Sequence, residues 1–215
     1  WPSLERRATV LYNGVPGPAA APTPLGESPG AEPTLLFIGR LSPRKGPQVA
    51  LDALAELARR GVQARLVLLG AVFDGYEWFD RQLHEQVERL GLGGQVEFAG
   101  FDPDVWGYFD RSHIVLVPST VDEPFGNTAV EAMLAQRPLV VSRTSGLKEA
   151  SDGFESARLV EPGDPGEIAD AVQALLDDWP AVREQVARDR ASAVARYAPE
   201  VYQQRLGEIL GLRRG

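Results

Sequence analysis

The sequence predicts an α/β fold built on an open, doubly wound, mostly parallel sheet. Three observations carry this. Short runs of strand length are apolar at almost every position, as expected of strands covered on both faces. Segments with a helical apolar period separate these runs. Glycine or proline marks most of the joints between them.

The elements follow in order. Ala8 to Tyr12 (ATVLY) reads as one short strand. Residues 13–33 hold six prolines and four glycines, show neither a helical nor a strand period, and read as a linker or an extended strap. Thr34 to Gly39 (TLLFIG) is the first buried strand. In Gly46 to Arg60 the apolar residues Val49, Ala53, Leu54 and Leu57 recur at helical spacing, and Gly61 follows where a helix ends. Ala64 to Gly70 is a second strand, Tyr76 to Leu90 a helix closed by Gly91, and Gln95 to Ala99 a third strand. Pro103 to Asp110 is a short helix, with Asp102 as its N-cap and Pro103 at its first position. His113 to Pro118, Pro138 to Ser142 and Ala157 to Val160 complete the strands. Helices occupy Gly126 to Ala135, Pro165 to Asp178, Ala181 to Arg196 and Pro199 to Leu210.

Composition narrows the chemistry. Of 215 residues, 44% are apolar and 24% charged, a mixture that can bury a core and excludes global disorder. The absence of cysteine excludes disulfides, zinc-thiolate sites and a thiol nucleophile. The two histidines, His84 and His113, lie far apart and read as structural. A net charge of -8 opposes general attraction to nucleic acid or anionic lipid. No apolar run approaches the ~20 residues that span a bilayer, and no signal pattern is found at the N-terminus, so a cytoplasmic setting is expected. The chain begins at Trp1 and its sole methionine is Met133, which leads us to expect a fragment or a processed chain.

Open α/β sheets bind ligands where strands end, near the point at which strand order reverses. After the first strand, Gly39-Arg40-Leu41-Ser42-Pro43-Arg44-Lys45-Gly46 sets three cations between a strand end and a helix start. A diphosphate suits that chemistry, through an arginine fork, a lysine charge and the free N-H groups of a helix N-terminus. The same run also reads as a solvated basic turn, and it lacks the order of a Walker loop. A second such segment is Ser119-Thr120-Val121-Asp122-Glu123-Pro124-Phe125-Gly126-Asn127, followed by a helix carrying Glu131. Glu123 would sit in a tight loop and Glu131 roughly 6–8 Å further on along the helix. As isolated carboxylates they read first as a dipole-complementing anion and a solvated face residue; a glycosidase pair is a second functional reading, and it needs a separation across a sugar ring that spacing on one helix start does not establish.

Together, G-R-L-S-P-R-K-G and E-P-F-G-N-T-A-V-E-A resemble the C-terminal domain of a GT-B-fold retaining glycosyltransferase of family 4. V-E-F-A-G-F (Val96 to Phe101), V-P-S (Val117 to Ser119), V-E-P-G-D-P (Val160 to Pro165) and the hinge-like Y-N-G-V-P (Tyr12 to Pro16) agree. The resemblance implies a Rossmann-like, nucleotide-sugar-binding domain over residues 34–196. It also implies a hinge in 1–33, and a helix in 197–215 that crosses back towards an absent N-terminal acceptor-binding domain.

By the same resemblance, Arg40 and Lys45 hold the donor diphosphate and, with Glu123, make up the catalytic set. Glu123 bonds the hydroxyls of the transferred sugar, and Glu131 binds the ribose. The backbone of Phe125, Gly126 and Asn127 meets sugar and phosphate, and the base lies against Gly100 and Phe101, held largely by main chain. The implied partner is a nucleotide-diphosphate sugar, with no cofactor and no metal, and the fragment alone is expected to bind donor without turnover. A non-catalytic nucleotide-binding module, or half of a GT-B sugar-nucleotide epimerase, are the alternatives.

Some features depart from the family pattern. Ala71 to Arg81 (AVFDGYEWFDR) is longer and more aromatic than the family's turn. Thr144-Ser145-Gly146 replaces paired glycines, which questions the close approach there, and Arg158 interrupts a stretch that is often glycine-rich. Asp102-Pro103-Asp104 has the form of a metal motif but is better explained by capping. Trp78, Phe79, Trp106, Tyr108 and Phe109 are expected to pack.

Overall fold

The computed structural model describes residues 8–211. Residues 1–7 of the expected hinge and 212–215 of the expected C-terminal segment lie outside that range. Six strands form one all-parallel sheet in the order β3-β2-β1-β4-β5-β6. They are β1 Thr34–Ile38, β2 Arg65–Leu69, β3 Val96–Gly100, β4 Ile114–Val117, β5 Leu139–Ser142 and β6 Ala157–Val160. The connecting helices are α1 Pro47–Arg59, α2 Glu77–Leu90, α3 Trp106–Asp110, α4 Asn127–Leu134, α5 Ser145–Ser151, α6 Pro165–Asp177, α7 Trp179–Tyr197 and α8 Pro199–Ile209. Strand order reverses between β1 and β4, which pair directly. The expected doubly wound sheet is present, and it is parallel throughout.

Because side chains alternate along a strand, each strand feeds two cores. Leu35, Phe37, Leu66, Leu68 and Leu116 pack under α1, α2 and α6. Leu36, Val67, Val115, Val117 and Val141 pack on the other face, under α3, α4 and α5. Helix α7 joins the two layers. Its Trp179, Val182 and Val186 enter the first core, and its Ala193 and Tyr197 the second.

The long helices and all six strands match the sequence expectation to within one residue at each end, apart from α7, which begins two residues early, at Trp179. Three short elements do not. Ala8 to Tyr12 is not a strand: residues 8–10 are exposed and pair with none of the six strands. The short helix begins at Trp106 and not at Pro103, because Asp102 Oδ1 accepts the N-H of Asp104 at 2.8 Å. That local turn competes with helix and displaces Asp102 from the N-cap, which is Val105. Helix α5 was not expected, since it is only seven residues long and carries few apolar positions.

The proline-rich segment is a strap against the fold. Val15 is buried and its N-H donates to Tyr197 O at 2.8 Å. Further along, Trp179 Nε1 donates to Gly26 O and Arg183 Nε to Leu25 O. Arg137, 1% exposed, is the anchor of this end. Its guanidinium donates to the carbonyls of Phe109 (2.7 Å) and Asp110 (3.1 Å) at the end of α3, to Ala135 (3.0 Å) and Gln136 (3.1 Å) after α4, and to Thr23 (2.9 Å) on the strap. A cation at two helix C-termini also suits their dipoles. Burial lowers the Arg137 pKa and the nearby Asp110 carboxylate opposes that. Beside it, Thr34 and His113 exchange bonds: His113 N-H donates to Thr34 O, and Thr34 N-H donates to His113 Nδ1 at 3.0 Å. This requires a neutral imidazole, and burial, with Arg137 nearby, lowers its pKa.

Candidate functional site

The two charged motifs leave the adjacent strands β1 and β4 at the switch point, and hydrogen bonds hold them together. Thr120 N-H donates to Arg44 O at 2.9 Å, and Thr120 Oγ1 to Pro43 O at 3.0 Å. Pro43–Lys45 forms one 3-10 turn, ended by Gly46 in the left-handed region (φ 76), from which α1 departs. A Cβ on Gly46 would overlap the Pro118 carbonyl, so the approach of the two loops requires glycine.

The loop after β4 is braced from the other side by α5. Gly146 N-H donates to Glu123 O at 3.2 Å, and a Cβ on Gly146 would overlap Glu123 O and Phe125 N. The close approach that Thr144-Ser145-Gly146 called into question is therefore made by Gly146 alone. Asp122 Oδ1 accepts from Ser145 N-H (3.0 Å) and Ser145 Oγ (3.1 Å), bonds that lower its pKa. Gly126, left-handed at φ 114, then opens α4, and its side-chain-free cap leaves the first N-H groups of the helix open. Asn13 Nδ2 donates to Asn127 Oδ1 at 3.1 Å, and the Tyr12 ring lies 6.0 Å from that of Phe125.

Within this frame Glu123 accepts from Lys45 Nζ at 2.8 Å and from Ser119 Oγ at 2.8 Å, both on Oε1. The Glu123 side chain is 11% exposed and that of Lys45 30%. Arg40, at the other end of the first loop, lies over the Phe73 ring with Cζ 4.8 Å from its centroid. Lys45 and Arg40 thus open into two different clefts. The first, of 250 Å³, is polar and lined by Lys45, Glu123, Phe125, Gly126, Asn127 and Asn13 among others. The second, of 380 Å³, is mainly apolar, with Ile38, Arg40, Val72, Phe73, Phe101 and Val105 in its walls.

Gly100 ends β3 at φ 70 and turns the chain so that Phe101, 78% exposed, overhangs the apolar cleft. Glu131 lies in α4 but lines neither cleft; burial alone pushes its carboxyl up. The structure therefore groups Lys45, Glu123, Phe125, Gly126 and Asn127 in one cleft and Arg40 with Phe101 in the other, and leaves Glu131 apart.

Among the aromatics expected to pack, Phe79 and Phe109 are buried, while Trp78 is 47% exposed. His84 stacks on Phe98 at 4.0 Å. Phe73, which sequence reasoning passed over within Ala71 to Arg81, joins Phe101 in lining the apolar cleft. Asn13 and Asp122 were likewise missed, because their partners Asn127 and Ser145 are remote in sequence; Ser119 was missed although Glu123 is only four residues away. Among the described residues, no group of three or more His, Asp or Glu is arranged to hold a metal ion. No helix among them is long and apolar enough to cross a membrane.

Comparison with known proteins gives three kinds of match. The family model "Glycosyl transferases group 1" matches residues 26–192. A D-inositol 3-phosphate glycosyltransferase of Corynebacterium jeikeium is 38% identical over 169 residues, 76% of this chain and 38% of that protein. D-inositol 3-phosphate glycosyltransferase 2 of Catenulispora acidiphila is 34% identical over 203 residues, 87% of this chain and 47% of that protein. The crystal structure of Anabaena Alr3699/HepE in complex with UDP and glucose superposes with a TM-score of 0.79 and 30% identity, covering 84% of this chain and 48% of that one. The chain thus spans less than half the length of these relatives.

Proposed function

The chain belongs to the glycosyl transferases group 1 family, as the C-terminal Rossmann-like half of a GT-B-like fold, and on that premise we propose that its paired clefts bind the nucleotide-diphosphate sugar of a retaining glycosyltransferase. One observation carries the proposal. A single loop after β1 delivers Arg40 to an apolar cleft and Lys45 to an adjacent polar one, at the strand-order reversal. A nucleotide-diphosphate sugar has the same polarity: a flat base, a dianionic centre and a hydroxyl-rich end.

In this reading the base enters the apolar cleft beside Gly100 and Phe101, and the sugar the polar one. The diphosphate lies between Arg40, Lys45 and the open N-terminus of α4. Both protein contacts of Glu123 fall on Oε1, which leaves Oε2 to accept from sugar hydroxyls. When the bond from the anomeric carbon to the diphosphate oxygen breaks, negative charge grows on the leaving group. Preorganised cations and N-H dipoles stabilise that charge without reorganising, which supports a metal-independent reaction. Glu131 would approach the ribose. The UDP and glucose in the Anabaena structure support the ligand class. The length of the relatives supports a second, acceptor-binding domain in the working enzyme.

The test is a thermal-shift and calorimetric panel of UDP, GDP, ADP and TDP sugars. At least one raises the melting temperature saturably, as ligand linkage requires. With two charge-assisted contacts removed, Arg40→Ala/Lys45→Ala should weaken that ligand about 100-fold or more. Unchanged affinity in the double variant sinks the assignment, as sugar transfer by this chain alone would sink the need for a second domain.

A further inference from the structure

The apolar cleft is walled by a ring that no part of the donor reading requires. Phe73 belongs to the aromatic Ala71–Arg81 segment, is 52% exposed and lines the cleft. Phe101 contributes a second ring to the same cleft at 78% exposure. Ile38, Leu69, Ala71, Val72 and Val105 add to its apolar lining. Two large aromatic side chains held in water beside a cleft of 380 Å³ present π-faces and few hydrogen-bonding groups. Such a surface suits a flat, polarisable ring, since every base has a π-face to stack on an aromatic side chain.

The neighbouring aromatics do different work. Trp78 lies edge-on to buried Phe79 at 5.5 Å and stacks on Tyr76 at 6.1 Å, which fixes the start of α2 outside the cleft. Phe73 instead faces the cationic end of the loop, with Arg40 over its ring.

We propose that Phe73 is a base-binding residue of the donor site, receiving the nucleobase by side-chain stacking together with Phe101. This rests on the donor-site reading and extends it: base binding is then not left to main-chain groups. Stacking is tolerant of base identity, so selection among bases would rest on ring size and stacking strength before hydrogen bonding.

Calorimetric titration of the full chain with UDP, GDP, ADP, TDP and inorganic pyrophosphate tests it, in wild type, Phe73→Ala, Phe73→Leu and Phe73→Trp. Loss of one base stack should weaken the tightest-binding nucleoside diphosphate about tenfold in Phe73→Ala. Phe73→Leu, which keeps an apolar wall without a π-face, should weaken it similarly, and Phe73→Trp should retain it. Pyrophosphate affinity should stay within about twofold throughout, because it has no base to stack. Wild-type nucleotide affinity in Phe73→Ala overturns the proposal. Equal losses for nucleotide and pyrophosphate also overturn it, since the ring would then serve Arg40 and not the base. A wild-type chain that binds none of the five probes overturns the donor-site reading itself, and the proposal with it. Melting temperatures confirm that each variant is folded.

Discussion

Arginine is used in opposite ways at the two ends of the sheet. At the amino end, Arg137 is buried and spends its donors on five backbone carbonyls, tying α3, α4 and the strap into one unit. At the carboxyl end, Arg40 rests on an aromatic face, and Lys45 holds a single carboxylate oxygen at the mouth of a cleft. The lesson concerns satisfaction. A buried cation whose donors are all filled from within the fold is structural, however strongly it is charged. A partly exposed cation beside open N-H groups is left for something the fold does not supply.

The largest expected effect breaks the saturated end. Arg137→Met leaves carbonyls buried without partners and should cost about 3 kcal/mol or more in chemical denaturation, with Arg137→Lys intermediate. A near-neutral Arg137→Met would show that the strap and helix ends are satisfied some other way. Next, Gly146→Ala at the open end forces the Glu123 loop away from α5. It should cost about 1–3 kcal/mol and weaken ligand binding as well, measured by melting and titration together. A stability loss without a binding loss would separate the brace from the site.

Glu131→Gln tests the carboxylate that lies apart. Burial raises its pKa above 4.5, so its ionised form costs stability that is fully felt above the folded pKa and vanishes below the unfolded one. Gln should therefore stabilise slightly at neutral pH and not below pH 4.5, while nucleotide affinity falls and pyrophosphate affinity holds. Loss of both affinities would move Glu131 out of the ribose role.

The smallest effect returns to the amino end. His113 has a pKa lowered from 6.5, so the unfolded chain takes up the proton first. Its contribution is complete above 6.5 and is lost as pH falls through the window below it, when Nδ1 can no longer accept from Thr34. His113→Gln should flatten that part of the stability-pH curve. A slope unchanged in the variant assigns it to other groups.

What the sequence made legible was what local pattern controls. Continuous apolar runs such as Thr34 to Ile38, and helical periods such as Val49 to Leu57, need no tertiary information. The two charged motifs stood out because their loops are contiguous. Features set by remote partners were hidden. Helix α5 depends on Asp122 and the Glu123 loop, Arg137 on carbonyls from three segments, and Phe73 on a cleft it shares with Phe101. Ala8 to Tyr12 failed in the opposite sense: its apolar run has the right composition for a strand, but it pairs with none of the six strands.

The strap also constrains the order in which the molecule assembles. Its bonds to Trp179 and Arg183 close separations of 153 and 158 residues, among the longest in the fold. Such contacts are reached late, because their loop-closure entropy is met before any packing compensates it. On a ribosome the strap precedes every strand, yet it has no complete surface to lie on until α7 has emerged and folded against both cores. A segment made before every strand of this sheet is thus among the last to be fixed. Until then, the apolar surfaces it covers, including Trp179, remain open to the wrong partners.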